Sequence, residues 1–446
     1  MTLAVSDGAK AIIERLQLAG FEACIVGGAV RDLVMGKTPH DYDITTSAKP
    51  AEIKSVFKRT IDTGIAHGTV TVVENGVGYE VTTFRTESGY ADSRHPDSID
   101  FVANIEEDLT RRDFTINAMC YNDLSGIIDR HGGQEDLKAR LIRTVGNPER
   151  RFTEDALRML RAVRFSAVLG FEIEEETANA IKKCAALIRK VSSERILGEL
   201  NKILLSANPI YIGKLRELGL MHYILPELDV CFDTPQKNKY HIYDVGNHIL
   251  HATAETKRDL ILRWAALLHD IGKPICMSTD SNGIIHFYGH HKESASLASN
   301  VLRRLKMDND SQRDIIALIE NHDVRIEPTP PAVKRMLAKV GDKLFLKLLS
   351  LQISDNRAKN EKYLTDKLNR IEAVRKVYEN VLAEGQPYML SDLVVNGRDL
   401  IKLGFKAGRE IGDTLKILLG EVLISPELNT REHLLKRAKE IKRKGR

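Results

Sequence analysis

The chain of 446 residues is too long for one compact core and should divide into domains of roughly 100 to 200 residues. With 43% hydrophobic and 29% charged residues, 30 Gly and 13 Pro, it is neither disordered nor collagen-like. The 66 Lys and Arg against 62 Asp and Glu leave only +4, so net charge announces no polyanionic partner; the excess lies at one end, where Thr430 to Arg446 hold eight basic and two acidic residues.

Cys24, Cys120, Cys184, Cys231 and Cys276 are odd in number and widely spaced, with no CxxC, which argues for reduced core residues and against a disulfide framework or a thiolate zinc site. No apolar run approaches the roughly 18 residues of a membrane span. The start, MTLAVSDGAK, lacks the blocks of a signal peptide, so a cytoplasmic protein is expected.

In chain order, Ile12, Ile13 and Leu16 at helical spacing followed by Gly20 predict a first helix with a glycine cap. A short strand, Ala23 to Val26, is broken by Gly27 and Gly28. A short helix follows around Ala29 to Met35, and the chain re-extends through Asp41 to Thr45. Thr69 to Val73 and Tyr79 to Phe84, joined through Asn75-Gly76, read as a hairpin. From Thr153 onward the spacing is helical, apart from a strand-like stretch at Ile284 to Phe287, and ends in a basic helix from Arg431 to Lys444. Pro328 to Pro331 and Gly385 to Pro387 are joints within it.

Three groups of residues carry chemistry. Asp41 and Asp43, two apart on an extended segment, send both carboxylates to one face, a repulsive arrangement that a hard divalent cation such as Mg²⁺ relieves; a surface turn is the bland alternative. Gly27-Gly28, between strand and helix, makes either a tight turn or an amide cradle for phosphates, with Arg31 one turn on. Glu80, on the hairpin strand YEVTTFR, is the candidate third carboxylate and Asp113 a weaker one.

Together GGAVRD (27–32) and DYDIT (41–45) resemble the signature of class II nucleotidyltransferases of the polymerase β superfamily. In EDALRMLRAVRF (154–165), Asp155 and Arg158 stand at i, i+3, while Arg161 and Arg164 extend a cationic stripe with no acid nearby in sequence. A carboxylate beside a guanidinium complements the amino group and ring nitrogen of cytosine or adenine and mispairs with guanine or uracil; an intrahelical ion pair is the plain reading. With RRDFTINAM (111–119) and SGYADSRHP (88–96), these segments resemble bacterial CCA-adding enzymes, the tRNA nucleotidyltransferases, in the family's order, and VNGRDLIKLGF (395–405) resembles the family's C-terminal part.

That resemblance implies addition of CCA to tRNA from CTP and ATP. It implies Mg²⁺ on Asp41 and Asp43, a nucleotide held by Gly27, Gly28, Arg31 and Arg112, and base recognition around Asp155, Arg158, Arg161 and Arg164. A flexible loop carrying Tyr90, Asp92 and Arg94 would serve the switch from C to A; relatives that add only CC lack it, whereas A-adding enzymes keep it. Lys182, Lys183, Arg189, Lys190 and the basic tail would contact tRNA phosphates. No membrane or DNA partner is implied.

Eight of the fourteen histidines crowd between His241 and His322. His269-Asp270, after the apolar helix Leu260 to Leu268, resembles the HD-superfamily metal phosphohydrolases. The resemblance implies His248, His269, Asp270 and Asp355 as ligands of a transition metal such as Mn²⁺ or Ni²⁺, with His290 and His322 as accessories.

The expected fold class is therefore α+β. A polymerase-β-like nucleotidyltransferase head (1–145) precedes an all-α neck (146–215), an HD-type helical domain (216–360) and a helical tail (361–446). The rivals are an A-adding enzyme or poly(A) polymerase, an HD phosphohydrolase with an RNA-binding head, and a non-catalytic RNA-binding protein.

Overall fold

The computed structural model describes residues 3–88, 98–102, 104–236 and 240–444. The expected loop residues Tyr90, Asp92 and Arg94 lie outside the described residues. The chain forms two compact units, Met1–Pro226 and Glu227–Arg446.

The strands of the first unit are β1 Ala23–Val26, β2 Asp43–Thr46, β3 Thr60–Gly64, β4 Thr69–Glu74, β5 Val77–Thr83, β6 Arg85–Ser88, β7 Ser98–Phe101, β8 Met119–Asn122 and β9 Gly126–Asp129. Seven of them make one sheet in the order β3-β4-β5-β2-β1-β8-β9, in which the β2–β5 pair is parallel and the others antiparallel. The β4–β5 hairpin turns at Asn75 (φ 51°) and Gly76 (φ 80°), two consecutive left-handed residues that match the twist of the flanking strands. Alternation sends Val70, Val72 and Val81 inward, while Asn75 to Gly78 face solvent. The first helix, Asp7–Leu18, buries Ile12, Ile13 and Leu16 and packs on β1, with Gly20 at φ 89° just beyond its end.

Asp41 precedes the strand expected to carry it, since β2 begins at Asp43. The helical part of the first unit contains a larger departure: EDALRMLRAVRF is not one helix. The helix Pro148–Glu154 ends at Asp155, which is extended (φ −143°, ψ 104°), and a new helix runs Leu157–Leu169 against the helix Ser193–Leu204. A short parallel pair, Leu141–Ile142 with Glu172–Ile173, also interrupts the helical stretch.

Among its described residues, the second unit is helical except for loops and the hairpin Met277–Thr279 with Ile285–Phe287. The helix Leu260–Leu268 is buried on all sides but its first turn, with Trp264 wholly enclosed, as an all-round apolar helix must be. The last helix, Arg431–Lys444, is docked: Leu434 and Ala438 are buried beside Leu418 and Val422, and Arg431 pairs with Asp399. Among the described residues, no helix is long and apolar enough to cross a membrane.

Candidate functional site

In the first unit the chain turns at Gly27 with φ 72° and ψ −129°, a conformation that strains any residue with a Cβ, and a Cβ there would stand 3.0 Å from Arg112 Nη1. The sharp turn lets β1 feed the helix Gly28–Val34, whose Arg31 donates to Asn117 Oδ1 (2.8 Å) and Asp32 Oδ1 (2.9 Å). Opposite the end of β1, where Val26 pairs with Asp43, both Asp41 and Asp43 are exposed. Enclosure pushes the Asp43 carboxyl up, Arg112 opposes that, and Asp41 adds to the rise. The parallel register that pairs Ile44 with Val81 brings Asp43 level with exposed Glu80 on the same face. Arg112 contacts buried Asp108 (3.4 Å), yet its Nε is buried without a hydrogen-bond partner. A cation so placed is incomplete until an acceptor arrives.

Beside it lies a cleft of about 230 Å³ lined by Arg111, Arg112, Asp113, Asp155, Arg158, Arg161 and Arg195. The cationic stripe expected from sequence is in fact paired throughout. The Arg158 guanidinium donates to Glu154 Oε2 (2.7 Å) and to the carbonyl oxygens of Arg151 and Arg111 (each 3.3 Å), and not to the Asp155 carboxylate. Arg161 is clamped on Asp113, and Arg164 stands 2.6 Å from Glu199 Oε2 while its guanidinium lies over Phe165 at 3.9 Å. Asp113, 48 residues from Arg161, is therefore its partner. Burial pushes Asp113 up, but the Arg161 guanidinium outweighs it and holds the carboxyl at about 2. Burial pushes Arg164 down to about 10 against the pull of Glu199.

Asp155 takes a different place from the one its spacing suggests. Because the helix breaks there, its Oδ1 accepts from the Leu157 N–H (3.0 Å), capping the second helix, and its carboxylate is gripped end-on by Arg195 (3.2 and 2.8 Å). Arg195 gave no sequence signal, since its acid lies 40 residues away.

The second cluster lies in the other unit. His248 and His269, from successive helices, meet Asp270 and, from the helix Asp342–Arg357, Asp355; all four are buried and one donor atom from each lies within 4.8 Å of the others. His248 Nε2 is 3.0 Å from Asp355 Oδ1 and 3.4 Å from Asp270 Oδ2, and His269 Nε2 is 3.1 Å from Asp270 Oδ2. Asp270, His290 and His322 form a second such group, with His290 Nε2 at 3.3 Å from Asp270 Oδ1. Both Asp270 oxygens and His269 Nε2 are buried in ion-pair contacts that lack hydrogen-bond geometry, and their convergence suits a cation of mixed nitrogen and oxygen preference. Burial pushes His269 down, but Asp270 and Asp355 outweigh it and lift it to about 9, a measure of the negative field at this point.

Lys273 Nζ comes to 2.6 Å from Asp270 Oδ2, and Lys359 Nζ to 2.5 Å from Asp355 Oδ2, at the wall of a cleft of about 320 Å³ that also holds His241, Tyr288 and His290. Burial and then Lys273 hold the His241 imidazole down at about 2. The i, i+4 spacing of Asp355 and Lys359 is the sequence signal that would have found the second lysine.

The Poly A polymerase head domain family matches residues 23–143, the family described as the probable RNA and SrmB-binding site of polymerase A matches 170–232, and the putative tRNA nucleotidyltransferase domain 2 matches 278–438. The CCA-adding enzyme of Ligilactobacillus salivarius (strain UCC118) is 37% identical over 434 residues, covering 96% of this chain and 95% of that protein. The chain belongs to the CCA-adding enzyme family. It is accordingly a nucleotidyltransferase. A second CCA-adding enzyme, from Latilactobacillus sakei subsp. sakei (strain 23K), is 39% identical over 431 residues, with 96% of each chain covered. The crystal structure of the Bacillus stearothermophilus CCA-adding enzyme in complex with CTP superposes with a TM-score of 0.72 at 31% identity, covering 98% of this chain and 97% of that one. The α+β class, a sheet-containing head followed by helices, is thus the family's fold.

Of the residues expected to bind tRNA phosphates, Lys183 already pairs with Glu149 (2.7 Å) and Arg189 lies over the Tyr223 ring (4.6 Å), while Lys182 is exposed. The sheet brings Asp41, Asp43, Gly27 and Arg112 into one neighbourhood, assembled from β1, β2 and the turn after Thr110.

Proposed function

We propose that the chain adds CCA to the 3′ end of tRNA from CTP and ATP with Mg²⁺, without a nucleic-acid template, and releases pyrophosphate. The observation that carries the reading is the juxtaposition of Asp43, the Gly27 turn and the incompletely satisfied Arg112 at the edge of a cleft lined by Asp155 and Arg158. Asp41 and Asp43 supply hard oxygen donors that fit Mg²⁺, with Glu80 as third carboxylate. Mg²⁺, when bound, supplies Lewis acidity at the tRNA 3′-hydroxyl and charge compensation at the triphosphate. Gly27, Gly28, Arg31 and Arg112 bind and orient the triphosphate so that the 3′-oxygen attacks the α-phosphorus; the new O–P bond forms as the bond to the β-phosphate breaks. Asp155 accepts the exocyclic amino group of cytosine or adenine, and Arg158 and its neighbours hold the ring nitrogen and sugar. A wrong base leaves these polar groups unpaired. The catalytic head would span 1–145, the neck 146–215, the HD domain 216–360 and the tail 361–446.

Incorporation of labelled CTP and ATP onto tRNA lacking CCA, with wild type and with Asp41→Ala plus Asp43→Ala, tests this reading. Two cytidines with CTP alone and none in the double variant are expected. No cytidine from wild type would sink the reading and leave the A-adding rival.

A second reading concerns the other unit, and the convergence of donor atoms from His248, His269, Asp270 and Asp355 favours it. His248, His269, Asp270 and Asp355 would hold a transition metal, which when bound would polarise a phosphate ester and activate water, giving a phosphohydrolase or phosphodiesterase of the HD type. Hydrolysis of a chromogenic phosphate diester in the presence of Mn²⁺, absent in His248→Ala, tests it.

A further inference from the structure

Asp155 is held by a residue outside the motif that contains it. Arg195 and Glu199 stand one turn apart on the helix Ser193–Leu204; Arg195 grips Asp155, and Glu199 meets Arg164 near the far end of the helix Leu157–Leu169. One helix therefore braces both the start and the end of the other.

The hydrogen bonds at Asp155 are unequal. Its Oδ1 accepts from the Leu157 N–H at 3.0 Å and from Arg195 Nη1 at 3.2 Å, which occupies both acceptor directions of that oxygen. Among the described residues, Oδ2 accepts from Arg195 Nη2 alone, at 2.8 Å, so one lone-pair direction stays open. Asp155 is extended between two helices and half-buried, and the Leu157 N–H holds only its Oδ1. The planar Arg195 fork fixes the second oxygen as well, and a lysine at that place would meet one oxygen only.

We propose that Arg195 is a specificity-determining positioning residue: it orients Asp155 so that Oδ2 alone is presented to the incoming base and takes its exocyclic amino group. Selection of CTP and ATP over UTP and GTP then depends on Arg195, acting through Asp155. The inference rests on the base-reading role proposed above for Asp155.

The experiment measures kcat and KM for CTP and UTP on tRNA lacking CCA, and for ATP and GTP on tRNA ending in CC. It uses the full chain as wild type, Arg195→Ala, Arg195→Lys and Asp155→Ala, each with a thermal melt. In Arg195→Ala, kcat/KM for CTP and ATP should fall at least about tenfold, mainly through KM, and the CTP:UTP and ATP:GTP ratios should narrow by a similar factor. Arg195→Lys should recover part of both. A merely structural brace would lower all four rates together and leave the ratios alone, and that result overturns the proposal. If Arg195→Ala does not fold, the decision passes to Arg195→Gln, whose neutral amide reaches at most one oxygen; ratios equal to wild type there overturn it. Wild-type ratios in Asp155→Ala would instead defeat the base-reading role itself, and wild type without selection would defeat the proposed function, so the three failures are distinguishable.

Discussion

The cleft of the first unit and the histidine cluster of the second both gather acids with nitrogen donors, and they solve the electrostatics in opposite ways. In and beside the cleft four carboxylates are held by guanidinium groups: Asp113 by Arg161, Asp155 by Arg195, Glu154 by Arg158 and Glu199 by Arg164. Such paired groups present directional acceptors and donors, which suits reading the edge of a base. Around Asp270 two lysines, Lys273 and Lys359, hold one oxygen of each acid, but the donor atoms of His248, His269, Asp270 and Asp355 converge on one point, and neither Asp270 oxygen nor His269 Nε2 has a hydrogen bond of good geometry. Buried donors of that kind are completed by a cation and read charge and ligand geometry. The difference teaches that an acid-rich site is classified by what remains unsatisfied, not by how many acids it contains.

The sharpest break between the two regions should come from Asp41→Ala plus Asp43→Ala. Nucleotide incorporation should fall by roughly 10³-fold or more, since several kcal/mol of transition-state charge stabilisation is removed, while phosphodiester hydrolysis by the other unit persists. Parallel assays of both activities on one preparation check it, and joint loss would show that the two sites are not independent. Next in size, Asp155→Asn replaces an acceptor oxygen with an amide donor and should lower kcat/KM for CTP and ATP by about 10²-fold while UTP suffers less; steady-state kinetics with the four nucleotides measures this.

Metal loading sharpens the other side of the comparison. Mn²⁺ at about a hundred times its dissociation constant should stabilise the wild-type chain by about 3 kcal/mol, read as a rise in the melting transition. His248→Ala and Asp355→Ala should show no such rise and bind no Mn²⁺ by calorimetry, yet incorporate CMP within about twofold of wild type. The smallest effect is expected from Asp113→Asn. The folded carboxyl sits at about 2, depressed below its unfolded value, so its contribution is present above the unfolded range near pH 3.9 and lost as pH falls through the folded value. Urea unfolding should show the variant about 2 kcal/mol less stable at pH 7, with the gap closing as the pH falls from about 4 towards 2.

Local features were legible from the residues alone. The Ala23–Val26 strand, the Gly27 turn, the Asn75-Gly76 hairpin and the helix Leu260–Leu268 follow from turn chemistry and apolar spacing within a few residues. The HD-like set His248, His269, Asp270 and Asp355 was readable because the resemblance fixes residue types in order, and folding brought them together across 107 residues. The break at Asp155 was not readable. The periodicity of EDALRMLRAVRF continues through it, and Asp155 leaves the helix with its side chain capping Leu157 and gripped by Arg195, 40 residues on.

By itself, then, the sequence determined the order of elements, the two aspartates, the glycine turn and the family. Tertiary structure alone decided which acid meets which base: Asp113 with Arg161, Glu199 with Arg164, Asp155 with Arg195. The physical reason is that secondary structure answers to neighbours within a turn or a pleat, whereas a buried charge takes whichever opposite charge the packed helices bring within about 3 Å, and chain distance does not enter that choice.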